Sequence, residues 1–236
     1  MSVSARLTAL AALCAIAFAP CAANSKERTD AEVRQTGLDF ANCVIKDHGT
    51  LATEVLLLNI SANQIVKDYR RLIDFDCLPN NADKISFGTD LFRYFLADAL
   101  VNAEFAADGP KDFTDRLALE HLAAPTESEL KADLASAKSP KRRAQIEEQY
   151  RKSSGVGALS RYGECVVRHD PANSRGWILA KPGTAEEASR IGALRPSFSD
   201  CLTGTISFSK ASMRGTVALN YYRLAHARVQ PPGKTN

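Results

Sequence analysis

The sequence predicts a mainly α protein of two tandem disulfide-stapled helical repeats joined by a charged helical linker. Three observations predict it: a cysteine phrase that occurs twice, capped amphipathic runs around each copy, and a charged stretch between them. The phrases are "NCVIKDH" (42–48) and "ECVVRHD" (164–170). The landmarks that follow keep their order. In the first copy they are Cys43-Val44, Cys77-Leu78, Ile85-Ser86-Phe87, Arg93 and Ala97; in the second, Cys165-Val166, Cys201-Leu202, Ile206-Ser207-Phe208, Arg214 and Ala218. An ordered series of this kind is the signature of a duplicated unit.

Residues 1–23 have the layout of a secretory signal peptide. Arg6 precedes an apolar run from Leu7 to Ala19, and Cys21-Ala22-Ala23 suits cleavage after Ala23. The run is too short to span a bilayer as a mature helix. Cleavage removes Arg6, Cys14 and Cys21, so the formal charge falls from +3 to +2 and Cys43, Cys77, Cys165 and Cys201 remain. A surface so close to neutral gives no electrostatic reason to expect nucleic acid or an acidic membrane as partner. No later apolar run reaches transmembrane length, so a soluble, periplasmic or secreted chain is expected.

Unit one (24–107) opens with Thr29 and Glu32, a capping box for a helix ending near Lys46. Ser61 caps a second helix, in which Ile65, Val66, Tyr69, Leu72 and Ile73 share a face. "TLATEVLLL" fits helix or strand. A third helix carries Leu91, Phe92, Phe95, Leu96, Ala99 and Leu100. The linker (108–157) is helix-prone and poor in large apolar residues, bracketed by the flexible "DGPKDF" and "SSGVG" and cut by Pro125 and Pro140. In unit two (158–228), Thr184 and Glu187 form a second capping box before Ala188, Ile191 and Leu194, and Met213, Val217, Tyr221 and Leu224 stripe the last helix. The tail (229–236) reads as disordered.

Four cysteines allow three pairings. The duplication favours Cys43–Cys77 and Cys165–Cys201, because a unit that once stood alone carried its own bridge. Each such bridge stabilises by roughly 3–4 kcal/mol in the chain-entropy model, and export supplies the oxidising compartment.

The chemistry in the sequence is sparse. None of the four histidines lies in HExxH, no cysteines have CxxC spacing, and no GxSxG, P-loop or GxGxxG stands at a strand-to-helix turn. No cofactor or metal is expected. Asp47-His48 and His169-Asp170 follow the two first cysteines in swapped order, and make two related proton-relay candidates. The plainer reading is a helix end whose cations offset the dipole and whose Asp begins a turn. Arg93 and Arg214 hold the same place in each third helix. They either pair with an acid such as Asp39 or Glu164 or present cations to an anionic ligand.

The Cys-Val phrases, "KPGTAEEASRIGALRPSFSDCL" and the Phe-x5-Arg that follows resemble uncharacterised exported bacterial proteins in which a like segment also ends in Cys-Leu. The resemblance covers each unit but not the linker. It implies secretion and a helical repeat, and carries no activity. The expectation is a non-catalytic binding or structural module of the bacterial envelope, with a groove between repeats for a protein or a small anionic ligand. The alternative is a hydrolase-like enzyme using a His/Asp pair.

Overall fold

The computed structural model describes residues 28–78, 88–204 and 208–229. The expected signal peptide, the segments 85–87 and 206–207, and the tail beyond Val229 lie outside those residues. Among the described residues the chain is helical, apart from one antiparallel bridge between Arg116 and Val229.

α1 (Asp30–Leu57) starts at the Thr29/Glu32 capping box. It does not end near Lys46. It breaks at His48 (φ −128°, ψ 26°) and resumes, so "TLATEVLLL" is helix, with Ala52, Val55 and Leu56 buried. After Cys165 the helix breaks at the same offset, five places past the cysteine, at Asp170 (φ −145°, ψ 78°). There Pro171, which has no N–H, starts a separate helix, whereas Gly49 lets α1 continue. α2 (Ala62–Asp68) is capped by Ser61 but stops short of Ile73. Two 3₁₀ turns, Arg70–Leu72 and Phe75–Cys77, complete that segment.

α3 (Thr89–Phe105) is followed by an extended stretch and then by α4 (Glu127–Ser136), which buries no residue, as expected of a solvated linker helix. α5 (Pro140–His169) corrects the linker reading. Pro140 is its first residue, where a missing N–H costs nothing, and "SSGVG" lies inside the helix. One glycine costs a helix only about 1 kcal/mol. Gly157 has a packing reason besides: a Cβ there meets the Leu122 carbonyl oxygen at 2.5 Å. The linker and the second unit therefore share one continuous rod. The extended stretch also contributes Phe113, which is fully buried.

α6 (Pro171–Leu179), α7 (Ala185–Ala193) and α8 (Arg195–Asp200) lead to α9 (Lys210–Ala225). α3 and α9 pack along each other at the centre, α1 covers α3, and α5 covers α9. Tyr94 lies so close to Gly215 that a Cβ there would sit 2.1 Å from it. The core is shared by both halves: Phe92, Leu96 and Leu100 belong to one cluster with Val217, Tyr221 and Leu224, and Trp177 packs edge-on against Phe198. Each half closes its own disulfide, Cys43–Cys77 (Cα–Cα 5.5 Å) and Cys165–Cys201 (5.8 Å). No described helix is long and apolar enough to cross a membrane.

Candidate functional site

Arg93 and Arg214 occupy matching places and do matching work. Arg214 donates through Nη1 to the Ala180 carbonyl (2.7 Å) and through Nη2 to that of Ile178 (2.6 Å). Arg93 donates through Nη1 to Ile60 O (2.6 Å) and through Nη2 to Leu58 O (2.9 Å). Leu58 and Ala180 each lie fifteen residues past a first cysteine and each end a helix. Both arginines thus satisfy carbonyls left open at a helix end.

The Nε atoms differ. Arg214 Nε donates to Asp98 Oδ2 at 2.6 Å, and Nη1 also meets Glu187 Oε1 at 3.4 Å. Glu187 in turn binds Arg34, with Nη2 to Oε2 at 3.0 Å. All four side chains are buried. The expected acids are elsewhere: Asp39 bonds Gln35, and Glu164 bonds His121 and Arg168. Glu187 does not close a capping box; its carboxylate takes the Gly183 N–H and Arg34 instead. Burial alone would raise its pKa, but those hydrogen bonds and the charges of Arg34 and Arg214 hold it at about 2.

Arg93, 6% exposed, has no such acid, and its buried Nε finds no partner. It lines a small recess of about 20 Å³ together with Asp90, Tyr94, Leu122, Val156, Ser160, Leu219 and Arg223. Arg223, 7% exposed, is held through Nη2 on Glu120 O (2.9 Å). Burial, and after it the charge of Arg223, push Arg93 down to about 10. The recess shares Ala62, Asp90, Leu122 and Val156 with a groove of about 1110 Å³, whose other walls come from Pro125, α4 and the α5 residues Gln149 and Ser153.

The two His/Asp phrases do not converge. His48 Nε2 faces Asp74 at 3.5 Å rather than Asp47, which is exposed. Asp170 caps α6, accepting from the Asn173 N–H (2.9 Å) and its Nδ2 (2.8 Å). His169 is exposed at the end of α5, with a ring nitrogen within 4.8 Å of the sulfurs of Cys165 and Cys201. Those sulfurs are spent in the disulfide, which leaves one imidazole and no thiolate as donors.

A different polar chain emerges that sequence reading did not find. His121 Nδ1 lies 2.8 Å from Ser160 Oγ, and its Nε2 lies 2.6 Å from Glu164 Oε2. Glu164 also accepts the Leu119 N–H (3.1 Å) and Arg168 Nε (2.8 Å). Arg168 reaches the carbonyls of Phe113 and Leu117, so the cluster clasps the extended stretch onto α5. Glu164 sits below its ordinary range: the hydrogen bonds from His121 and Arg168 overcome the upward push of burial.

Comparison with family models, with curated proteins and with solved structures finds no match to this chain.

Proposed function

We propose that the protein is an exported, non-catalytic binding module of the bacterial envelope, built by duplication of one helical unit, and that its ligand lies in the groove bounded by α2, residues 122–126, α4 and α5. The groove carries this reading: it is large, is assembled from the first unit and the linker, and ends in a polar recess to which the second unit adds Ser160, Leu219 and Arg223. Export draws support from the two disulfides and the leader-like first residues. Duplication draws support from the matching helix breaks at His48 and Asp170 and the matching carbonyl caps at Arg93 and Arg214.

Chemical-shift mapping with a fragment set tests the groove. Perturbations gathering on Ala62, Ala123, Gln149 and Ser153 support it; saturable shifts confined to another face overturn it. Mass spectrometry of protein taken from the periplasm, with Asn24 as its first residue, tests export.

A second reading rests on the Ser160–His121–Glu164 chain, whose residue types also serve acyl-transfer enzymes, there with the serine on Nε2 and the acid on Nδ1, the reverse of the order here. It replaces the His/Asp pairs as the hydrolytic candidate. Ser160 borders the narrow recess and not the open groove, which favours the first reading. Labelling of Ser160 by a fluorophosphonate, absent in Ser160→Ala, is the result that would establish this reading over the first.

A further inference from the structure

The two equivalent arginines differ in one feature. Arg214 uses Nη1 and Nη2 for backbone carbonyls and Nε for a carboxylate supplied by the chain, Asp98. Arg93 uses Nη1 and Nη2 in the same way, and its Nε is buried with nothing to bond. Asp98 lies on α3 five residues past Arg93; the residue five past Arg214 on α9 is Leu219, which lines the recess beside Arg93. The second neighbour changes too. Arg34, nine residues before Cys43, is replaced in the second copy by Val156, nine before Cys165, and Val156 is also a recess wall. The chain therefore supplies an acid to one arginine and leaves the corresponding place at the other as a cavity, with a second buried guanidinium, Arg223, on its wall.

We propose that this recess is the carboxylate-binding end of the groove, where a ligand carboxylate is taken by Arg93 Nε as Asp98 is taken by Arg214 Nε, with Arg223 as the second donor. The inference rests on the groove being the binding site. The size of the recess selects the ligand. Its narrowness, about 20 Å³, favours a planar carboxylate on a slender stem over a bulkier tetrahedral phosphate or sulfate. A buried guanidinium with an unsatisfied N–H is costly, and a charge-assisted bond to a carboxylate relieves that cost. Asp90 stands where recess and groove meet and opposes the incoming charge; Arg93 attracts it. The end of a chain and an acidic side chain both carry such a carboxylate.

The test follows the arginine Nε–H signals of ¹⁵N-labelled mature protein during titration with N-acetylalanine, N-acetylaspartate amide, N-acetylalanine amide, phosphate and chloride at constant ionic strength. Saturable shifts of Arg93 and Arg223 with either carboxylate, about tenfold weaker or absent with the neutral amide, are expected. The stronger of the two carboxylates identifies its source. Chloride or phosphate saturating as tightly overturns the proposal, and so does the absence of any saturation. Fragment shifts at Gln149 and Ser153 in that case leave the groove standing without its anion end. Leu219→Asp places an internal acid where Asp98 stands in the other half and abolishes the N-acetylalanine response; an unchanged response overturns the proposal. Should Leu219→Asp fail to fold, Arg223→Gln takes its place: a response about tenfold weaker is expected, and an unchanged one overturns the proposal.

Discussion

The two crossings on either side of the central α3–α9 pair are built alike and filled differently. Beside Arg214 lie Asp98, Glu187 and Arg34, four buried charges joined by hydrogen bonds. In the other half the matching places hold Leu219 and Val156, which line the recess beside Arg93, and the exposed Gln64, which like Glu187 lies three residues past a helix cap. One crossing is closed by its own ions and the other is left open. The carbonyl caps they share satisfy backbone groups left open at a helix end. The acids are an addition that locks one side. The side without that lock is the side on which the proposed binding site lies.

The largest way to break the comparison is to strand Arg214. Asp98→Ala leaves its guanidinium buried beside an empty space and is predicted to cost about 3–5 kcal/mol in urea denaturation. A loss below about 1 kcal/mol contradicts the view that Asp98 holds this crossing. Converting either cystine to a pair of alanines comes next. Each closes a loop of similar length, so each is expected to lose roughly 3–4 kcal/mol, with the two values close together. Arg93→Met removes two carbonyl bonds but strands no acid. It is expected to cost about 1–3 kcal/mol, less than Asp98→Ala under the same conditions.

The smallest effect is the share of acid sensitivity that Glu187 gives to one crossing, beside the share that Glu164 gives to the clasp on α5. Glu187 has its folded pKa depressed from 4.5 to about 2, so it binds its proton less readily folded than unfolded. The stability it contributes is complete above pH 4.5 and is lost as the pH falls through about 2. Glu187→Gln flattens the stability profile across that window, whereas Gln64→Glu, at the matching exposed place, leaves it unchanged. Equal slopes in wild type and Glu187→Gln would place the acid response outside this crossing.

Much of the frame is legible in the sequence because it is written in local signals. The caps at Thr29, Ser61 and Thr184 and the stripe from Leu91 to Leu100 are short-range patterns. The cysteine pairing, one of three that four cysteines allow, is favoured by the recurring series of landmarks. Continuity is harder to read: Pro140 looks like a break until its place at the first turn is known, and "SSGVG" looks loose until Leu122 is seen against Gly157. Partnership across the fold is harder still. Asp98 held the clearest unread signal, an acid between Ala97 and Ala99 in the apolar middle of α3, where burial calls for a charged or hydrogen-bonding partner. Glu187 was hidden by its resemblance to an ordinary cap residue. Arg223 and His121 lie in sequence contexts that give no hint of a recess or a clasp.

Each cystine closes within one half, so among the described residues no cross-link joins Asp30–Leu78 to Pro140–Val229. The exposed turn at Lys138 and Ser139, between α4 and α5, is the natural place to sever the backbone. Two polypeptides made separately, each oxidised on its own, would then meet through the Tyr94–Gly215 contact and the Asp98–Arg214 bond, and the groove would reappear on association. The bridging geometry thus makes the protein a candidate for a split reporter, its signal read from the reassembly of halves that share a core but no covalent bond.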